Sequence, residues 1–130
     1  KDEAEFHGDH VNFDSLWSWP KPVQAGGPPI WLGANSKWAF DRVAEYCDGW
    51  MPIGGLGKGG MENLKSACDN RGRDVNDMTI ALFGAPLDAD AISNKLEQGF
   101  TELIFTLPQS EPAKVLRHLD KVADLVAKIR

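Results

Sequence analysis

Hydrophobic residues in this chain gather in short runs, and each run is followed by a turn cluster and then a helical pattern. Four such units, built on PPIWLGANS, DGWMPIGG, MTIALFGAP and TELIFTLPQS, fill residues 29–130. A run of a few apolar residues bounded by Gly or Pro reads as a strand buried on both faces, and strands alternating with helices imply a parallel sheet. The runs predict strands at Ile30–Leu32, Trp50–Ile53, Thr79–Phe83 and Leu103–Thr106. Four successive units amount to half of a TIM-type βα barrel, which needs roughly 250 residues when complete. Barrels carry ligands on the loops after their strands, here 33–36, 53–60, 84–88 and 107–111.

The helical segments have their own signals. Asn35 or Ser36 is placed to cap a helix starting near Lys37, in which Trp38, Ala39, Arg42, Val43 and Tyr46 form one stripe and Phe40, Ala44 and Cys47 a second. A second helix is expected over about Met61–Asn70. A third starts at Asp88 or Asp90, turns Ala91, Ile92 and Leu96 to one face, and stops at Gly99. In the last helix Val115, Leu116, Leu119, Val122, Leu125, Val126 and Ile129 make an apolar stripe, with His118 on the polar side.

Residues 1–28 break this rhythm. FHGDHVNF suggests two short extended pieces turning at Gly8 and Asp9. WSWPKPV continues as an arm whose prolines disfavour helix, and which is expected to lie across a surface and bury its tryptophans there. The division is therefore an extended N-terminal arm, 1–28, and four βα units, 29–130.

A formal net charge of −5 over 130 residues argues against a nucleic-acid partner, because phosphate binders cluster Lys and Arg. No stretch reaches the roughly 20 apolar residues of a membrane span, and the start KDEAEFHGDH is charged rather than apolar. Cys47 and Cys68 fall in predicted helices without metal-ligand spacing, which favours buried thiols in a reducing, cytoplasmic setting. The chain opens on Lys1 without a methionine, so it is read as a fragment or a trimmed piece.

Candidate chemistry is sparse. Gly33, Ala34, Asn35 and Ser36 lie between a strand and a helix, where free N–H groups and the positive end of a helix dipole favour an anion. The same residues also suit an ordinary βα turn. GGLGKGG puts five glycines in seven residues, with Lys58 among them. It either contacts a phosphate or forms a flexible loop, and it lacks the P-loop order GxxxxGK[ST]. His7 and His10 flank a turn without a third metal ligand or a partnering carboxylate, and read as exposed. Asp2, Glu3, Glu5, Asp9 and Asp14 read as a solvated acidic face. The five tryptophans are expected mostly in the core. No residue stands out as a catalytic acid, base or nucleophile.

The order FHGDHVNF, WSWPKPVQ, PPIWLGANS, AEYCDGWMPI, ALFGAP and ELIFTLP resembles the C-terminal half of the bacterial luciferase-like monooxygenases. These are βα barrels that use FMN or deazaflavin. The resemblance implies that the four units are barrel strands five to eight, that residues 1–28 are an excursion after strand four, and that Gly33, Ala34, Asn35 and Ser36 hold the cofactor phosphate. Gly54 and Gly55, beside Ile53, would form part of the cofactor wall. Two departures stand out: Ala25–Gly27 replaces a more basic, Pro-rich stretch, and Ala34 stands where Gly is usual. Because many contacts come from the other half of such barrels, weak or no flavin binding is expected of this chain alone. A half-barrel also exposes edges and an apolar face, so a homo-oligomer is expected. The alternative is a non-catalytic, self-associating module that binds a small ligand or nothing.

Overall fold

The computed structural model describes residues 2–129. At its N-terminal end β1 (Glu3–His7) and β2 (Asn12–Trp17) pair as an antiparallel hairpin. The turn closes with the Gly8 amide donating to the Val11 carbonyl at 2.9 Å. The hairpin's extensive contacts are internal, between its own two strands, and Trp17 and Trp19 are 74% and 59% exposed. This corrects the expectation that the arm buries its tryptophans: both stay largely exposed, with the Lys21 ammonium 5.6 Å from the Trp19 ring centre.

The remainder alternates strand and helix as the apolar runs predict: β3 (Trp31–Leu32), α1 (Ala39–Tyr46), β4 (Gly49–Trp50), α2 (Gly60–Asp69), β5 (Thr79–Phe83), α3 (Ala89–Glu97), β6 (Glu102–Ile104) and α4 (Pro112–Ile129). The four strands form a parallel sheet in the order β3-β4-β5-β6. Each step moves one place in the same direction, and right-handed crossovers then put every connecting helix on the same face. α4 packs beside α3.

The core lies on that helical face. Trp50, Ile80 and Leu82 point into it and meet Val43, Ala44 and Cys47 of α1 and Leu64, Ala67 and Cys68 of α2. Strand side chains alternate, so Trp31, Gly49, Met51, Ala81, Phe83 and Ile104 belong to the opposite face, which carries no helix among the described residues. Gly49 is needed there, because a Cβ would come within 2.7 Å of the Thr79 carbonyl oxygen and 2.8 Å of Trp31 Cδ1.

Several details differ from the sequence pattern. α1 starts at Ala39, not near Lys37, and its N-cap position is Trp38 with no side-chain cap. Trp38 and Tyr46 are exposed, so the stripe through Phe40, Val43, Ala44 and Cys47 is the one that packs inward. Trp50 is the one tryptophan in the core, with Trp31 and Trp38 38% and 60% exposed. In α3, Asp88 is the cap, its carboxylate accepting from the Ala91 amide at 2.8 Å. His118 is half-buried, not on a water-facing side, and its Nε2 is buried without a hydrogen-bond partner. The face of α4 turned inward runs through Val115, His118, Val122 and Leu125, while Leu116 and Leu119 stay exposed.

Candidate functional site

Where β3 ends, the chain passes through Gly33, Ala34 and Asn35 before a turn in which the Ala39 amide donates to the Ser36 carbonyl at 2.8 Å. That turn separates the loop from α1, so neither Asn35 nor Ser36 caps the helix. Asn35 is engaged elsewhere. Its Nδ2 donates to the Ile53 carbonyl at 2.6 Å, and the Ile53 amide donates to its Oδ1 at 2.7 Å. A side-chain amide carries a donor and an acceptor in the same arrangement as a peptide. Asn35 thus replaces the strand partner that Ile53 loses once β3 and β4 diverge. A second tie joins the same loops, with Trp50 Nε1 donating to the Ala34 carbonyl at 2.7 Å.

These ties hold the exits of β3 and β4 together, and a recess lies on either side. One, of about 300 Å³, is lined by Gly33, Met51, Pro52, Ile53, Gly54 and Phe83. It opens on the helix-free face, and none of its lining side chains titrates. Ile53 and Phe83, 70% and 63% exposed, present its apolar surface. Gly54 has φ +73° and no heavy atom within 4 Å of where a Cβ would sit.

The other recess, also about 300 Å³, has the opposite chemistry. Asn35, Lys37, Gly57, Lys58, Gly60 and Asn63 are among its lining residues. The start of α2 faces it, entered through Gly59 at φ +70°. That helix approaches closely because Gly60 has no side chain: a Cβ would lie 3.0 Å from Trp50 Cη2. Two ammonium groups and a helix N-terminus make this recess favourable to an anion. The dipole at the loop is that of α2 and not of α1, a feature the strand-turn-helix pattern does not reveal.

Of the residues singled out from sequence, Gly33 and Gly54 line the apolar recess and Asn35 the polar one. Ala34 and Gly55 supply carbonyls to the ties, Gly55 accepting from Asn35 Nδ2 at 3.5 Å, and Ser36 forms the turn before α1. Met51, Phe83, Lys37 and Asn63 were not singled out. Phe83 was findable, since it ends the third apolar run at the strand's ligand-facing end.

Elsewhere the chemistry is quiet. His7 and His10 are exposed, and His7 Nδ1 lies 2.6 Å from Asn12 Oδ1. Cys47 and Cys68 are free and buried, and burial pushes both thiols up. Among the described residues no group of three or more His, Cys, Asp or Glu is arranged to hold a metal ion, and no helix is long and apolar enough to cross a membrane.

The chain is 28% identical to Uncharacterized protein Rv0953c of Mycobacterium tuberculosis over 129 residues. Uncharacterized protein Mb0978c of Mycobacterium bovis matches at the same identity and length. The matches take in 98% of this chain and 45% of each relative, so the chain spans about half the length of the curated relatives it matches. The luciferase-like monooxygenase family matches residues 1–123, and the chain belongs to that family.

Proposed function

We propose that this chain is the C-terminal part of a luciferase-like flavin- or deazaflavin-dependent oxidoreductase or monooxygenase, and that it anchors the cofactor phosphate. The observation that carries the reading is the pair of recesses flanking the Asn35–Ile53 tie. FMN and deazaflavin cofactors join a flat tricyclic ring to a phosphate through a polar chain. The apolar recess matches the ring, and the recess holding Lys37 and Lys58 matches the phosphate. The buried thiols suit a reducing compartment, the cytoplasm.

Gly33, Met51, Ile53, Gly54 and Phe83 would hold the ring by apolar contact and keep water from one side of it. Lys37, Lys58 and the first amides of α2 would hold the phosphate, while the Asn35–Ile53 tie fixes the spacing between the two. When bound, the cofactor supplies hydride transfer or oxygen activation. Since no side chain lining the apolar recess titrates, this half orients and shields and does not move a proton there.

The test is titration of the protein with FMN and with riboflavin, which lacks the phosphate, followed by quenching of flavin fluorescence. Weak, saturable binding that favours FMN is expected, with the preference lost in Lys58→Ala. Equal affinity for the two flavins, or a preference that survives in both Lys37→Ala and Lys58→Ala, counts against the reading.

A further inference from the structure

We propose that the bound cofactor does not end at its phosphate: a linear polar chain esterified to that phosphate continues along the seam between α1 and α2, so the site takes a phosphodiester and not a terminal phosphomonoester. This rests on the phosphate-anchoring reading and deepens it.

The cationic recess has an outlet. A further recess of about 280 Å³ lies along the α1–α2 seam. Lys37, Phe40 and Asn63 line both it and the cationic recess, so the two adjoin. Their walls and floor all come from residues 35–70, around β4, which lies between β3 and β5. Neither free edge of the sheet takes part. Lys37 stands at the junction, its ammonium 4.6 Å from the Trp38 ring centre, where one cation would serve both the phosphate and the first group beyond it.

The seam has the chemistry of a groove for a polar chain. On α2, Asn63, Ser66 and Asn70 recur every three to four residues and so share one face. Their side chains are short, uncharged and able to donate and accept, and among the described residues none of the three is hydrogen-bonded. The charges of α2 sit at Glu62, Lys65 and Asp69, outside this groove. Its floor is apolar: buried Ala67, and Phe40 held edge-on to Trp50 with ring centres 5.3 Å apart. Asp41 is the one carboxylate in the lining, and Arg71 lies 3.2 Å from it, so an anionic chain is not repelled. At 1.5 Å per helical residue, Asn63 to Asn70 span about 10 Å, the reach of a chain of about three extended residues. Phe40 is the one aromatic lining the groove, so no pair of rings is set to sandwich a nucleobase, and a linear arm fits where a nucleotide does not. A terminal phosphomonoester would leave this whole groove to water.

Fluorescence titration of the full chain with a deazaflavin cofactor in two forms tests this, the 5′-phosphomonoester and the phosphodiester carrying an oligoglutamyl arm. The diester should bind about fivefold tighter or more, the worth of one hydrogen bond. Ser66→Phe, which fills the groove, should erase that gain and leave monoester binding unchanged. Asn70→Ala, a milder change that removes one amide from the groove, should reduce the gain measurably, so a folding failure of the first variant leaves the test intact. Equal affinity for the two forms, with FMN still favoured over riboflavin, overturns the inference and leaves the phosphate reading standing. A gain that survives both substitutions also overturns it, by placing the arm elsewhere, as does FAD binding tighter than the diester. Equal affinity for FMN and riboflavin is the separate result that removes the phosphate reading itself, and this inference with it.

Discussion

The side chain of Asn35 bonds both polar groups of the Ile53 backbone, donating to the carbonyl at 2.6 Å and accepting from the amide at 2.7 Å. It acts as one more residue of β3 at a place where the main chain has already turned away. Since Ile53 lines the apolar recess and Asn35 the cationic one, this amide, together with the Trp50–Ala34 bond, fixes the relative position of their walls.

Asn35→Ala therefore removes both hydrogen bonds to Ile53, with the longer one to Gly55, and leaves Ile53 to water. At about 1 kcal/mol for each typical bond, and with the site exposed, a loss of about 1–2 kcal/mol in urea unfolding is expected. The Ile53 amide should exchange faster with solvent than in the parent. Asn35→Asp should be at least as damaging, because the Ile53 carbonyl would then face a carboxylate. An unchanged Ile53 exchange rate in both variants would show that other contacts hold the loops.

The hairpin offers a prediction in pH. The Glu3 carboxylate accepts from Ser15 Oγ at 2.7 Å and from Trp17 Nε1 at 3.1 Å, and these two bonds, Ser15's first, lower its pKa from 4.5. A depressed carboxylate stabilises the folded form above its unfolded pKa, and that stabilisation fades as pH falls through the folded value. The indole N–H resonance of Trp17 should thus move toward its random-coil position as the pH drops below about 4.5. Glu3→Gln should abolish most of that pH dependence.

Much of the fold was legible because its signals are local. The run MTIALFGAP is apolar, β-branched and closed by Gly84, and β5 spans Thr79–Phe83 as expected. Asp88 has only α3 to cap and does so. Asn35 misled because its tertiary partner, Ile53, is 18 residues away and outweighs the cap. Tryptophan burial misled for a related reason: Trp31 and Phe83 are exposed not from any feature of their own runs, but because no helix among the described residues covers the second face of the sheet. The polar recess was half legible. Lys58 and the glycines were visible as a loop, whereas Lys37, just before α1, and Asn63, on α2, meet there only once the two helices pack together.

The thiols give a chemical check on the core. Cys47 and Cys68 are fully buried in the cluster around Trp50, and desolvation is the leading cause of their raised pKa values. Reaction with an aromatic disulfide reagent at pH 8 should be slow in the native protein and fast for both thiols in denaturant. Rapid native labelling of either one would mean that α1 or α2 leaves the sheet easily.

Gly49 and Gly60 separate two kinds of crowding. At Gly49 the atom that a Cβ would meet first is a backbone oxygen, that of Thr79 at 2.7 Å, with the Trp31 ring at 2.8 Å. Neither β4 nor β5 can shift without breaking the ladder that pairs Gly49 with both Trp31 and Thr79. At Gly60 the first atom is Trp50 Cη2 at 3.0 Å, and α2 can meet it by sliding a few tenths of an ångström. Gly49→Ala should therefore cost about 2–3 kcal/mol, near the upper end for overpacking. Gly60→Ala is expected to cost less, about 1 kcal/mol, because alanine's better helix propensity offsets part of the strain. Moving α2 also moves the amides and Lys58 that face the polar recess, so Gly60→Ala should weaken any preference for FMN over riboflavin even where it spares stability. Equal destabilisation by the two substitutions would mean that the sheet yields as readily as the helix, contrary to the packing around Trp50.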